Sequence, residues 1–204
     1  MARRPAASAG TLARRVGSLY AVRYQLRIEL KDIKPAIWRR ILVPENLTLA
    51  KLHPILLWSM GWQGGHLHEY EIARLRYGPP PEDDWPNSEP IHDERRFRLN
   101  RFVDTGLRRF KYLYDFGDHW EHLIAVEDIH PRTDGTQAVV CVAGENACPP
   151  EDVGGPPGYF EFLAAIKDPT HEEHANLLRW IGGAFDPTAF DLAEVNARLA
   201  DIKA

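Results

Sequence analysis

The feature that most constrains the fold is a strict alternation of apolar and polar residues between Val22 and Leu30. Tyr24, Leu26, Ile28 and Leu30 are separated by arginine, glutamine and glutamate side chains. Successive side chains of a strand point to opposite faces of a sheet, so this segment predicts a strand that is buried on one face. A sheet with one dry and one solvated face is typical of antiparallel pairing.

The order of the remaining elements indicates an α+β fold. Further strands are predicted at residues 36–43, 66–75, 109–114 and 120–128, the last two forming a hairpin around Gly117. Thr48 is a good N-cap for a helix that runs to Met60, and Pro54 inside it predicts a kink or a late start. Loops are predicted at residues 78–90 and 148–158, and helices at 158–167, 171–181 and 189–202. We expect an antiparallel or mixed β-sheet packed against several helices, with the helices concentrated in the C-terminal third.

The composition is that of a globular chain. Hydrophobic residues make up 44% and charged residues 26% of the 204 positions, and no apolar run approaches the ~20 residues that span a bilayer. Cys141 and Cys148 are too few to form a disulfide framework. We therefore expect a cytoplasmic protein without a membrane partner, built as a single domain over residues 20–204.

The N-terminal segment has a distinct charge. The first 28 residues contain six arginines and no acidic residue. Alanine, glycine, serine and proline dominate the first 18, so residues 1–19 are predicted to be a disordered arginine-rich tail. A nucleic-acid-binding arm and a targeting segment are the alternatives for such a start.

His66 and His68 form a His-x-His pair in the predicted third strand. Residues two apart on a strand project from the same face, and neutral imidazole is a common transition-metal ligand. Both are therefore candidate metal ligands. The alternative is that both rings are polar residues of the core or its rim, hydrogen-bonded to their neighbours.

Ionisable side chains are concentrated between residues 114 and 122. Asp115 and Asp118 would offer metal oxygens or a carboxylate pair for acid–base catalysis, and His122 is a further candidate metal ligand. The alternative is a hairpin turn in which both aspartates accept hydrogen bonds from backbone N–H groups and Gly117 supplies a positive φ.

A segment rich in proline and glycine follows at residues 147–155. Its composition fixes an unusual backbone path, which proteins keep at functional sites or at tight packing corners. Cys148, Glu151 and Asp152 are candidate catalytic residues here, Cys148 as a nucleophile or a metal ligand if a histidine faces it. No base lies nearby in the sequence, and the spacing to Cys141 is not that of a zinc site. A structural loop is the alternative.

The stretch from residue 94 to 111 is basic. Seven basic and two acidic residues give it a formal charge of +5. Phe97, Phe102 and Phe110 are interleaved, so the stretch could contact phosphates and stack bases. The alternative is a solvated surface whose cations pair with acids elsewhere in the chain. The candidate nucleic-acid-binding residues are Arg95, Arg96, Arg98, Arg101, Arg108, Arg109 and Lys111.

Several short motifs occur in an order that is similar to one known family. They are Pro35-Ala-Ile-Trp-Arg-Arg-Ile41, Thr48-Leu-Ala-Lys-Leu-His53, Met60-Gly-Trp62, His66-Leu-His68, Tyr114-Asp-Phe-Gly-Asp-His-Trp-Glu-His122, Ala147-Cys-Pro-Pro-Glu-Asp-Val-Gly-Gly155 and Phe185-Asp-Pro-Thr-Ala-Phe190. Together they resemble the plasmid pRiA4b ORF-3-like family, which is found on plasmids, in insertion elements and on chromosomes. The resemblance extends over about residues 24–199. It implies an α+β domain and carries no established activity.

The sequence favours a binding function over catalysis. It contains no Gly-x-Gly-x-x-Gly, Walker loop, Gly-x-Ser-x-Gly or His-Glu-x-x-His motif. This absence, and the occurrence of the resembled family on plasmids and in insertion elements, favour a non-catalytic binding or accessory module with a protein or nucleic-acid partner. The alternative is a metal-dependent hydrolase or nuclease-like enzyme with a divalent metal as cofactor. Its histidines and aspartates at residues 66–68 and 115–122 would meet at one end of the sheet.

Overall fold

Eight strands form one mixed sheet in the computed structural model, which describes residues 21–80, 90–131 and 138–202. The strands are β1 (Val22–Leu30), β2 (Trp38–Pro44), β3 (His68–Ile72), β4 (Leu75–Gly78), β5 (Ile91–Asp93), β6 (Arg109–Tyr114), β7 (Trp120–Pro131) and β8 (Val140–Glu145). Their order across the sheet is β5-β4-β3-β6-β7-β1-β2-β8. The strand pairs are antiparallel except for β4 with β5, which are parallel. The predicted α+β class is confirmed.

The hydrophobic core lies on one face of the sheet, as the alternation in β1 predicts. Tyr24, Leu26, Ile28 and Leu30 are at most 1% exposed, while the residues between them are partly exposed. β1 pairs with β2 on one side and β7 on the other, so its backbone hydrogen bonds are used on both edges. The opposite face of the sheet carries the charged side chains of the same strands.

Within the described ranges, five α-helices accompany the sheet, three of them in the last third of the chain, as predicted. They are α1 (Leu49–Met60), α2 (Leu99–Val103), α3 (Gly155–Lys167), α4 (His174–Trp180) and α5 (Leu192–Ala200). A short 3-10 helix, Glu94–Arg96, precedes α2.

The first helix has the predicted ends. The Thr48 hydroxyl accepts a hydrogen bond of 3.2 Å from the backbone N–H of Lys51, and Gly61 ends the helix with φ of 112°. Pro54 lies inside the helix, which nevertheless begins at Leu49, so the expected late start does not occur. Proline within a helix removes one backbone donor, and α1 is stabilised instead by its buried apolar face.

One predicted strand and one predicted loop differ from the structure. The strand expected over residues 66–75 is two strands joined at Ala73 and Arg74, which have φ of 51° and 67°. A two-residue hairpin of this kind uses positive φ at both central positions. The loop expected over residues 148–158 ends at Gly154, because α3 begins with Gly155 and two prolines. Proline is tolerated in the first turn of a helix, where the backbone N–H has no partner within the helix.

Part of the predicted organisation falls outside the described residues. This holds for the tail at residues 1–19 and for residues 81–89 of the loop predicted at 78–90. The predicted hairpin is confirmed, with Tyr114 opposite Trp120 across β6 and β7. Among the described residues, no helix has the length and apolar character needed to cross a bilayer.

Candidate functional site

Three segments that are distant in sequence meet at one end of the sheet. His68 lies opposite Tyr114 where β3 pairs with β6, and the N–H of Asp115 donates to the carbonyl of Leu67 at 2.9 Å. The residues before β3 therefore lie beside the β6–β7 turn. The loop before α3 joins them, since the N–H of Gly154 donates to Oδ2 of Asp118 at 3.1 Å.

His66, Asp115 and Asp152 form a group that could hold a metal ion. Nδ1 of His66 lies 3.4 Å from Oδ2 of Asp115, and its Nε2 lies 3.2 Å from Oδ1 of Asp152. One ligand atom from each residue lies within 4.8 Å of the other two. The Asp115 side chain is 12% exposed and that of Asp152 is 70% exposed. The group is thus anchored on the Asp115 side and open to solvent on the Asp152 side.

The spacing and chemistry of the metal triad (His66, Asp115 and Asp152) suit a divalent ion. Zinc lies about 2.0–2.2 Å from nitrogen and carboxylate ligands, so two ligands of one ion are at most about 4.4 Å apart. Small side-chain rotations would bring the three atoms within that limit. One imidazole and two carboxylates form a donor set that suits Zn²⁺ or Mn²⁺ better than a soft ion such as Cu⁺.

Both aspartates of the triad have an uncommon backbone conformation. Asp115 has φ of 56° and Asp152 has φ of 60°, a left-handed region that aspartate occupies more often than most residues with a Cβ. Oδ1 of Asp115 accepts hydrogen bonds from the N–H groups of Gly117 and Asp118 at 2.9 and 3.3 Å, which holds the turn. Its other oxygen faces His66, so Asp115 serves the turn and the triad at once.

Glu151 connects the three segments that carry the triad. Its carboxylate accepts hydrogen bonds from the Tyr114 hydroxyl at 2.7 Å and from the N–H groups of Gln63 and Gly64 at 3.1 and 3.3 Å. Tyr114 precedes Asp115, residues 63 and 64 closely precede His66, and Glu151 itself precedes Asp152. A single carboxylate therefore sets the relative position of all three ligands.

Asp118 lies in the same turn but outside the metal triad. Its carboxylate accepts the N–H of Gly154, and its carbonyl oxygen is so close to Gly155 that a Cβ there would lie 2.2 Å away. Asp118 thus fastens the loop before α3 to the β6–β7 turn. This contact matches the hydrogen-bonding part of the structural alternative for Asp118. The positive φ expected at Gly117 is wrong, because Asp115 and His119 have it instead, with φ of 56° and 58°.

His68 belongs to a different, buried group. Its Nε2 lies 2.8 Å from Oε2 of Glu94, and its ring stacks on that of His53 with centroids 3.5 Å apart. Burial, together with the neighbouring His68, lowers the pKa of His53 to about 3, so that ring is neutral. The expectation that His66 and His68 share one strand face is wrong, because His66 precedes β3 and only His68 lies in it.

His122 is a core residue remote from solvent. Its Nδ1 lies 3.0 Å from the carbonyl of Trp120, and its Nε2 has no hydrogen-bond partner among the described residues. Burial lowers its pKa to about 4. The ring packs edge-on against Trp62 with centroids 5.3 Å apart. It lies outside the metal triad.

Cys148 is partly buried in the loop that also carries Glu151 and Asp152. Burial raises the pKa of its thiol well above the ordinary range. The protonated thiol is a weak nucleophile, so the environment of Cys148 does not favour the catalytic role considered from the sequence.

Six of the seven candidate nucleic-acid-binding residues contact a partner within the chain. Arg95 and Arg96 pair with Asp93, Arg98 donates to the carbonyl of Asn46, and Arg101 lies over the ring of Phe97. Arg108, Arg109 and Lys111 lie around β6, where Arg108 donates to the carbonyl of Leu107 and Lys111 pairs with Glu71.

The three phenylalanines of this stretch are not placed to stack bases. Phe110 is 4% exposed. Phe97 and Phe102 both pack edge-on against Tyr77, with centroids 4.9 and 5.3 Å away. They extend the hydrophobic core towards the β4–β5 edge of the sheet.

Sequence reasoning missed three relationships at this end of the molecule. The sequence made Asp152 a catalytic candidate but did not predict that it lies beside His66 as a ligand. It did not predict the hydrogen bonds by which Glu151 connects the segments. Glu94 was counted in the basic stretch and not as the partner of His68. The signal available was the pair of adjacent acids in a loop rich in proline and glycine. Their partners lie in distant parts of the sequence.

Comparison with known proteins places the chain among relatives of similar length. The family model of plasmid pRiA4b ORF-3-like proteins matches residues 22–194. Uncharacterized protein y4hQ of Sinorhizobium fredii is 40% identical over 181 residues, which are 88% of this chain and 92% of that protein. The crystal structure of MM3350, a protein of unknown function from Methanosarcina mazei Go1, matches with a TM-score of 0.78 and 36% identity, over 86% of this chain and 97% of that one. The sequence motifs, the fold and these matches agree, and the chain belongs to the plasmid pRiA4b ORF-3-like family.

Proposed function

We propose that the chain binds a divalent metal ion through the metal triad and acts as a metal-dependent hydrolase. The observation that supports this proposal is the convergence of one imidazole and two carboxylates from three separate segments, with ligand atoms within 4.8 Å. A bound divalent ion would supply a water of lowered pKa and would polarise a carbonyl or phosphoryl oxygen.

The surroundings of the triad support a functional site over a chance cluster. Glu151 holds the ligand-bearing segments through hydrogen bonds to Tyr114, Gln63 and Gly64. Metal sites depend on such supporting contacts, because they orient the ligands before the ion arrives.

The first test is calorimetric titration of the chelator-treated full-length chain with Zn²⁺ and with Mn²⁺. We expect one of them to bind, and Asp115→Asn and Asp152→Asn each to weaken that binding by at least about 100-fold, more than the loss of a supporting residue. Asp118→Asn is the matched control, since Asp118 lies in the same turn but outside the triad and asparagine can still accept the Gly154 N–H. Absence of binding, or an equal loss in the control, would reject the metal site.

A second measurement separates catalysis from binding. The metal-loaded chain is assayed for hydrolysis of peptide and phosphodiester substrates, and we expect turnover that Asp115→Asn abolishes. Metal binding without turnover of either substrate class would contradict the hydrolase part of the proposal.

A binding or accessory module is the second candidate, and the outer face of the sheet favours it. A groove of about 520 Å³ there contains Arg27, Arg74, Arg109 and Lys111. Arg27 pairs with Glu29 and Lys111 with Glu71. Arg74 and Arg109 are exposed and have no ion-pair partner within the described residues, so two cationic groups are available to an anionic partner.

Nucleic acid is the anionic partner to test first. Fluorescence anisotropy with labelled single- and double-stranded oligonucleotides would show binding that weakens with salt. We expect Arg74→Ala with Arg109→Ala to reduce it. Arg95→Ala with Arg96→Ala is the control, because both of these arginines face Asp93. Binding that survives the first pair of substitutions would exclude the groove.

A further inference from the structure

A cleft of about 720 Å³ lies directly beside the metal triad. It is bounded by the end of α1, the loop before α3, and the segments around α4 and α5. Asp152 and Glu151 both line it. A molecule in this cleft would therefore touch a residue of the triad, which makes the cleft the natural place for a substrate of the proposed function.

The charge of the cleft selects against polyanions. Its lining includes the four carboxylates Glu151, Asp152, Asp191 and Glu194, and the two guanidinium groups of Arg39 and Arg198. The formal excess is two negative charges. Like charges in a cleft repel a ligand, and opposite charges raise its local concentration.

Both guanidinium groups already have partners within the chain. Arg39 is 3% exposed and donates to four backbone carbonyls, those of Trp38, Ser59, Glu145 and Asn146. Arg198 forms an ion pair with Glu194 at 2.5 Å. A phosphate entering the cleft would thus meet carboxylates and find both cations already engaged.

Aromatic side chains supply the second element of recognition. Trp180 lines the cleft with 47% of its surface exposed, and its ring packs edge-on against that of Phe162. Phe190 shows that these rings accept guanidinium groups, since Arg39 lies 4.6 Å from its centroid. An organic cation over an aromatic face gains free energy beyond that of simple charge attraction.

We propose that the cleft binds a polypeptide segment that bears arginine or lysine side chains, and that this basic segment is the substrate class of the adjacent metal triad. The side chain of the ligand would lie over Trp180, with its charge facing Asp191. Its backbone would reach past Asp152 towards the triad. This inference rests on the proposed function for the identity of the reaction, but the binding step does not require a metal.

The test is fluorescence anisotropy of the full-length chain in chelator, with a short labelled peptide rich in arginine. A peptide with glutamate at the same positions and a single-stranded oligonucleotide serve as comparison probes. We expect the arginine peptide to bind and the glutamate peptide not to bind. Raising the ionic strength should weaken the binding, because the attraction is partly between exposed charges.

Two substitutions locate the peptide in the cleft. Asp191→Asn removes a charge but keeps the oxygen that accepts the N–H groups of Ala193 and Glu194 and caps α5. Trp180→Ala removes the exposed ring. Each should weaken binding of the arginine peptide about three- to fivefold, while Asp128→Asn, an exposed change on β7, should leave it unaltered.

The outcomes distinguish this inference from the metal proposal. Peptide binding that persists in chelator while no metal binds would sustain the cleft assignment and reject the hydrolase. Equal binding of the arginine and glutamate peptides, or unaltered binding in both cleft variants, would overturn the assignment. An oligonucleotide whose binding is lost on Trp180→Ala would place a polyanion in the cleft and would also overturn it.

Discussion

The Tyr114 hydroxyl donates a hydrogen bond of 2.7 Å to Oε1 of Glu151. Burial, and after it this contact with the carboxylate, raises the pKa of Tyr114 well above its ordinary value. The phenol therefore stays protonated and remains a donor. Because the same carboxylate accepts the N–H groups of Gln63 and Gly64, this contact joins the end of β6 to both loops of the metal triad.

Removal of Glu151 should loosen the triad without touching its ligands. We expect Glu151→Ala to lower the affinity for the proposed metal by about 10- to 100-fold, as is usual for supporting residues. The free energy of unfolding should fall by about 2–4 kcal/mol, because two backbone donors and one hydroxyl lose their partner. Calorimetric titration and denaturant unfolding measure the two effects.

Two further variants test whether these effects are particular to Glu151. Tyr114→Phe removes one of the three hydrogen bonds and should cost about 1 kcal/mol. Glu71→Ala removes an exposed carboxylate that pairs with Lys111 and should cost less than about 1 kcal/mol. Metal affinity that is equal in Glu151→Ala and Glu71→Ala would show that Glu151 has no positioning role.

The close approach of Gly155 to Asp118 predicts an unusually damaging substitution. A Cβ at residue 155 would lie 2.2 Å from the carbonyl oxygen of Asp118, and the residue has φ of 67°. We expect Gly155→Ala to destabilise the chain by about 3–5 kcal/mol, since the contacting atoms all belong to the backbone of Asp118 and not to a flexible side chain. Gly182→Ala is the control: its φ is 84° but nothing lies within 4 Å of the added carbon. It should cost about 1 kcal/mol, and equal melting temperatures for the two variants would contradict the steric argument.

The buried pair of His68 and Glu94 predicts a difference between two substitutions at residue 94. Glu94→Ala leaves the ring nitrogen of His68 without its partner in a buried site and should cost about 3–5 kcal/mol. Glu94→Gln keeps an oxygen that can accept a hydrogen bond, so it should lower the free energy of unfolding clearly less than Glu94→Ala does. Denaturant unfolding would compare both with Asp128→Ala, which removes an exposed carboxylate that accepts the N–H of Ile129 and lies 3.8 Å from His130. Equal costs at residue 94 would show that the hydrogen bond is unimportant.

Burial of His122 predicts that the chain loses stability in mild acid. Its pKa of about 4 in the folded chain lies below the ordinary value of 6.5, so between these values the unfolded chain binds a proton that the folded chain does not. Stability should therefore fall as the pH drops from 6.5 towards 4, by about 3 kcal/mol from this residue. His53, with a pKa of about 3, acts in the same direction.

Substitution of His122 tests the origin of that loss. We expect His122→Phe to flatten the dependence of the melting temperature on pH, because it removes the buried titrating group. His130→Phe replaces a partly exposed histidine near the other end of β7 and should leave the dependence unchanged. An unchanged slope in His122→Phe would show that another group causes the acid sensitivity.

The predictable part of the fold follows from local patterns. The alternation in β1, the Thr48 cap of α1 and the hairpin around Gly117 depend on residues adjacent in sequence, and all three are confirmed. The strand predicted over residues 66–75 is wrong because its alternation continues through the Ala73–Arg74 turn. Neither residue is the glycine or asparagine that normally marks such a turn.

The sequence by itself determined the class of fold, the family and the segments in which functional residues are concentrated, because each of these depends on motif content and short-range periodicity. Only the tertiary structure decided which of those residues meet. It separated His68 from His66 by placing one in a strand and the other before it, and it brought Asp152 to His66. Proximity of this kind depends on strand register and on the packing of a distant loop through Glu151, and no local pattern encodes the distance between two side chains so far apart in the chain.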